Sequence, residues 1–190
     1  MSVASAPWLL CLNLSREHVT PGRPLHAHGG VSAASQARSL LYSARERGWV
    51  VAHVQNRRAR LANAGDFARP IEGLEPLPSE ALFLVPQRSA LAHLDLRARL
   101  IADRPPAIYL VGFTLAHEGL ATLFDAVDLG LSLRIVADAV ASPAIGDRSS
   151  SEIDRAALAI AASLTGVINS SEALNAAPGV VVGFKGGMKW

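Results

Sequence analysis

The chain has 190 residues, half of them apolar, with 18 basic and 16 acidic side chains for a net charge of +2. That is enough to bury one sizeable core, and with no abrupt shift in composition the whole of 1–190 reads as a single domain. Scattered basic residues make the sequence pI of 9.1 a poor argument for nucleic acid, and no apolar run of membrane-spanning length interrupts the chain, which excludes a transmembrane helix.

From the amino terminus, MSVASAPWLLCLNLSRE has an apolar middle but no basic residue ahead of it, which argues against a secretory signal and for a cytoplasmic protein. Apolar runs of strand length follow at 7–14 (PWLLCLNL), 49–54 (WVVAHV), 81–85 (ALFLV), 107–113 (AIYLVGF), 133–140 (LRIVADAV) and 165–170 (TGVINS). Several are apolar throughout, as strands covered on both faces are. Between them lie helical spacings, among them Ala37, Leu40, Leu41 and Ala44, then Leu120, Leu123, Phe124 and Val127, each at i, i+3, i+4, i+7. Alternating strands and helices predict parallel β-α-β units with right-handed crossovers. Two Pro- and Gly-rich segments, 15–30 and 56–80, read as long loops near a site, and residues 183–190 read as a tail that can fray. The single Cys11 cannot make an internal disulfide, and Lys185 and Lys189 in that tail are the only lysines.

In an open parallel sheet, ligands bind beyond the carboxyl ends of the strands. That directs attention to Asn13–Ser15, Val85–Ser89 and Thr114–Glu118. Three of the segments there carry a resemblance to the isochorismatase-like superfamily of cysteine hydrolases. LLCLNLSRE stands where that family has an apolar strand ending in Asp-Met-Gln, and VPQRSAL where it has Lys-x-Arg-x-Ser-Ala-Phe. In GFTLAHEGLATLFDAVDLGLSLRIVADAVAS, residues Gly112, Thr122, Asp125, Ala126, Gly130, Asp138 and Ala139 fall in register with its longest motif. The resemblance spans roughly residues 8–170 and implies a three-layer, Rossmann-like α/β fold: a six-stranded parallel sheet of order 3-2-1-4-5-6 with helices on both faces.

The family's catalytic aspartate, lysine and cysteine fall on Asn13, Val85 and Glu118, so none of the three is present. In the family mechanism the aspartate takes the thiol proton, the lysine helps hold the charges and the thiolate forms an acyl-enzyme. Asn13 has no useful basicity, Val85 no charge, and a carboxylate is a much weaker nucleophile than a thiolate. The resemblance therefore implies a rewired site with its one carboxylate moved from the first strand to the fourth. There, a helix N-terminus favours the anion, and the Asn13 amide could donate to it. In that reading Glu118 orients a water, or a cationic or hydrogen-bonding ligand; the alternative is that it only caps its helix.

The resemblance further implies a cis peptide between Phe113 and Thr114, with the amides of Thr114 and Glu118 as an oxyanion hole. Ser15, Arg88, Ser89 and His117 are expected to line the pocket, Arg88 and Ser89 either gripping an anionic group or serving the loop. A zinc pair like that of nicotinamidases would fall on Asn56 and Arg58, which do not suit a metal. His26 and His28 lack acidic or cysteine neighbours and read as a solvated loop rather than a metal pair. His53 and His93 read as ordinary partly buried histidines, and Cys11 as a core residue. No cofactor and no metal are expected. The partners expected are a small-molecule ligand or substrate and, by resemblance, further copies of the chain in a dimer or tetramer. Two function classes stay open: an atypical hydrolase using Glu118 on a small amide, carbamoyl or vinyl-ether compound, and a pseudoenzyme that binds a ligand or partner subunit.

Overall fold

The structure is a computed structural model in which residues 5–57 and 65–176 are described. The tail at 183–190 and Arg58 lie outside the described residues, and so does the 58–64 part of the second long loop. The strands are β1 (Trp8–Leu12), β2 (Val50–Asn56), β3 (Ala81–Val85), β4 (Ile108–Phe113), β5 (Leu133–Ala141) and β6 (Val167–Ile168). The helices are α1 (Gly30–Glu46), α2 (Leu94–Asp103), α3 (Leu120–Asp128), α4 (Ser150–Leu164) and α5 (Ser170–Ala176).

All strand pairings within the sheet are parallel, and the order among the described residues is β3-β2-β1-β4-β5-β6. Each of the expected strands forms, although β6 is only two residues long. Every residue of β1 and β4 is buried, because alternate side chains point to opposite faces and both faces are covered. Leu9, Cys11, Tyr109 and Val111 pack on the α1 face, with Ala37, Leu40, Leu41 and Ala44 of that helix. Trp8, Leu10, Leu12, Ile108 and Leu110 pack on the other face, against Leu96, Leu100, Leu123, Ala157 and Ala161 of α2, α3 and α4.

The helical spacing in α1 therefore predicts its buried stripe. In α3 it does not: Leu120 and Leu123 are buried, but Phe124 and Val127 are exposed, and Thr122 and Ala126 face inward instead. The reason is local. The Thr122 hydroxyl donates to the Glu118 carbonyl at 2.7 Å and accepts from the Ala90 amide at 2.9 Å, which turns the small-residue side of α3 toward the segment after β3. Asp138 also proves structural, accepting from the Ser170 amide at 2.8 Å and hydroxyl at 2.6 Å, and so fixing the start of α5. A capping box joins Ser149 and Glu152 at the head of α4, a device whose Ser typically contributes about 1 kcal/mol.

The two long loops pack on each other. Arg16 donates its amide to the Arg69 carbonyl, and Ile71 donates to that of Leu14. Arg23 pairs with the buried Glu17 at 2.8 Å and lies 4.3 Å above the Phe67 ring. Among the described residues no helix is long and apolar enough to cross a membrane.

Candidate functional site

The order of the sheet reverses between β1 and β4, and the chain leaves both strands there in left-handed conformations, with φ of +52° at Asn13 and +64° at Thr114. Such φ values are unusual for non-glycine residues and persist only where the surroundings hold them. The Asn13 side chain is what holds them here. It accepts from the Asn56 amide at 2.8 Å and donates to the Thr114 hydroxyl at 2.9 Å, tying the ends of β2, β1 and β4 together. Gly112, with φ of +116°, is required for this approach, because a Cβ there would lie 1.9 Å from the Leu12 carbonyl oxygen.

After Thr114 the chain makes one wide, π-type turn over Leu115–Gly119 before α3 begins. The Thr114 carbonyl receives the amides of His117, Glu118 and Gly119, and the Ala116 amide goes to the Ser142 hydroxyl. Two expectations are corrected here. There is no cis peptide among the described residues, so the Phe113–Thr114 bond is trans and its amide is directed at the Ala141 carbonyl, 2.9 Å away on the neighbouring strand. The Thr114 and Glu118 amides both end on protein carbonyls, and the oxyanion hole implied by the resemblance is not formed.

Beyond these strand ends lies a cleft of about 510 Å³. It is lined by the strand-end residues Asn13, Asn56 and Thr114, by His117 and Glu118 of the turn after β4, by Arg88, and by Pro24, Leu25 and the 143–146 segment. Glu118 is only 2% exposed, His117 half-buried and Arg88 exposed. The 15–30 loop thus lines the cleft and does not plug it.

The other predicted residues fall outside it. Val85 is packed in the sheet core, because β3 ends there with its side chain turned inward. The Ser89 hydroxyl accepts from the Leu91 amide at 3.1 Å and caps a short turn, so Ser89 serves the loop. Ser15 borders a smaller cavity with Cys11 and His53, and its hydroxyl sits 3.0 Å from Nδ1 of His18. Cys11 is buried, and burial pushes its thiol well above the usual range, the reverse of what a nucleophilic thiol needs. Asn56, by contrast, lines the cleft while its side-chain amide donates to the Gln87 carbonyl. His26 is half-buried and His28 exposed in the loop, and no cluster of metal-ligating side chains occurs among the described residues. His53 pairs with Glu80 at 3.0 Å, and His93 meets the Phe83 ring edge-on.

One cleft residue is absent from the reading by sequence. His18 is fully buried, stacked on Phe113 with ring centroids 5.0 Å apart and planes 7° from parallel. Burial lowers its pKa to about 4, with a hydrogen bond to the Ser15 backbone acting in the opposite direction. Its signal in the sequence is slight: a histidine three residues after Ser15, in the segment that leaves β1. The 143–146 segment was also missed, though it follows the carboxyl end of β5, where such folds place their loops.

In doubly wound parallel sheets ligands bind at the switch point, which is where this cleft lies. The chain belongs to the isochorismatase family: the Isochorismatase domain model matches residues 7–171. A maleamate amidohydrolase from Pseudomonas putida is 28% identical over 162 residues, covering 76% of this chain and 74% of that protein. A solved structure from Oleispira antarctica, classed with the isochorismatase hydrolases, superposes with a TM-score of 0.81 at 21% identity, covering 92% of this chain and 99% of that one. An isochorismatase from Pseudomonas putida gives 0.78 at 21% identity, covering 90% and 93%.

Proposed function

We propose that this isochorismatase-family protein is a small-molecule hydrolase that works without a cysteine nucleophile, with Glu118 as its acid–base residue. The observation that carries this is the position of Glu118, a buried carboxylate that lines an open cleft together with the strained Asn13 and Thr114. Glu118 takes a proton from water as the oxygen bonds to an amide carbonyl carbon. As the C–N bond breaks, the departing nitrogen takes that proton back, leaving an acid and an amine. The similarity to a maleamate amidohydrolase supports a small amide bearing a carboxylate, and Arg88, which lines the cleft, is the residue we assign to pair with that carboxylate. Family membership supports a homo-oligomer.

A second reading is favoured by one specific feature. The Thr114 and Glu118 amides are spent on protein carbonyls, so the backbone donors that would stabilise an oxyanion are missing, as suits a pseudoenzyme that binds a ligand without turning it over. Ammonia release from maleamate separates the two. Glu118→Gln is expected to lower turnover by about 10²–10⁴-fold, the usual contribution of a general acid or base. Unchanged turnover in that variant removes Glu118 from the chemistry, and binding of maleamate without turnover in the wild type establishes the second reading.

A further inference from the structure

We infer that the ligand of the cleft is amphipathic: an amide-bearing carboxylic acid larger than maleamate, with an aryl or branched-alkyl body that rests against Leu25 and Ile145. This rests on the reading that the cleft takes a small amide-bearing acid, but not on whether that molecule is turned over.

The cleft measures about 510 Å³, inside the range of roughly 300–1,000 Å³ that holds drug-sized ligands. Maleamate, a short-chain amide acid, fills only a fraction of that space. The lining is also divided by segment. The strand ends contribute the polar Asn13, Asn56 and Thr114, whereas the loops contribute Pro24, Leu25, Pro143, Ala144 and Ile145. Leu25 is half-buried and Ile145 is 37% exposed, so the protein itself does not cover either of them. Apolar surface left uncovered beside polar groups in a concave site is what an amphipathic ligand buries.

Each loop is held by contacts of its own. In the first, Arg23 pairs with the buried Glu17 at 2.8 Å and lies over the Phe67 ring, while its carbonyl accepts from the His26 amide at 3.1 Å. That fixes the turn carrying Pro24 and Leu25. In the second, Ile145 and Arg148 exchange both backbone hydrogen bonds, at 3.1 and 3.0 Å, closing a tight hairpin turn in which Gly146 takes a φ of +60°. The two loops are joined as well, because the His28 amide donates to the Ser150 hydroxyl at 3.2 Å, at the head of α4. The apolar surface is therefore in place before a ligand arrives, which lowers the ordering cost of binding one.

Maleamate and N-benzylmaleamate test this, since they share the amide and the carboxylate and differ by an aromatic ring. Calorimetric titration is expected to show the wild type binding the benzyl compound about tenfold more tightly or better, through burial of the ring. The double variant Leu25→Ser/Ile145→Ser is expected to bring the ratio of the two affinities close to one. Ile160→Ser removes a similarly exposed isoleucine of α4 that does not line the cleft, and should keep the wild-type ratio. A benzyl compound that binds the wild type no better than maleamate overturns the inference while the cleft reading stands, and so does a ratio that survives in the double variant or is lost equally in Ile160→Ser. If neither probe binds the wild type, both fail. Should the double variant not fold, NMR of the wild type decides: the benzyl protons must show nuclear Overhauser contacts to the Leu25 and Ile145 methyl groups, and a bound probe without them overturns the proposal.

Discussion

Two histidines beside β1 are buried to almost the same degree, and burial lowers the pKa of both, yet they sit in opposite kinds of surroundings. His53, on β2, has its Nε2 3.0 Å from Glu80. Glu80 in turn takes two hydrogen bonds from Arg45, at 2.7 and 2.9 Å, and one from the Leu77 amide at 2.9 Å. Burial alone would raise the Glu80 carboxyl, but the bonds from Arg45, Leu77 and His53 hold it below the usual range. That cluster is closed, with each group answering another. His18, on the loop after β1, has Ser15 as its polar side-chain partner among the described residues, and its Nε2 is buried without one. Burial and a shifted pKa do not by themselves mark a functional residue.

The largest expected effect breaks the cleft side of this comparison. Gly112→Ala forces a Cβ into the Leu12 carbonyl at a φ closed to other residues, and should cost about 4 kcal/mol or more in denaturant unfolding. It should also release the tie between Asn13 and Thr114. Glu80→Ala tests the closed cluster. Removing the shared acid leaves Arg45 and His53 without their partner, and a loss of about 3 kcal/mol is expected, with no change in ligand affinity. A loss of cleft binding in that variant would show that the two regions are coupled.

A smaller effect, of opposite character, comes from pH. His18 has a pKa near 6.5 in the unfolded chain and about 4 in the fold. Below pH 6.5 the unfolded chain takes up a proton that the fold refuses, so stability falls as pH drops from 6.5 toward 4 and then levels off. Between pH 7 and 5 this costs about 2 kcal/mol, readable from urea unfolding at the two values. His53, also lowered, contributes with the same sign. His18→Phe should remove the His18 part of the slope, and equal slopes in variant and wild type would contradict the burial of a neutral ring.

The strands, the α1 stripe and the family register were legible in the sequence because they rest on periodicity and local motifs. Asn13 and Glu118 could be placed at the strand ends for the same reason, and the absence of a suitable thiol or lysine was plain from counting. What misled was orientation. Phe124 and Val127 fit a helical stripe, yet the hydroxyl of Thr122 settles which side of α3 faces the sheet. The resemblance implied a cis peptide and an oxyanion hole, but the direction of the Thr114 amide depends on the Ala141 carbonyl of a strand many residues later.

By itself the sequence determined the fold, since continuous apolar strands alternating with helical stripes bury both sheet faces in only one kind of architecture. It also determined which chemistry is closed, since residue types decide basicity and nucleophilicity. Only the tertiary structure decided which polar atoms remain unspent. His18 stacks on Phe113, 95 positions away, and the 143–146 segment lines the same cleft. Hydrogen bonds are satisfied or left open by neighbours in space, and no local pattern encodes those neighbours.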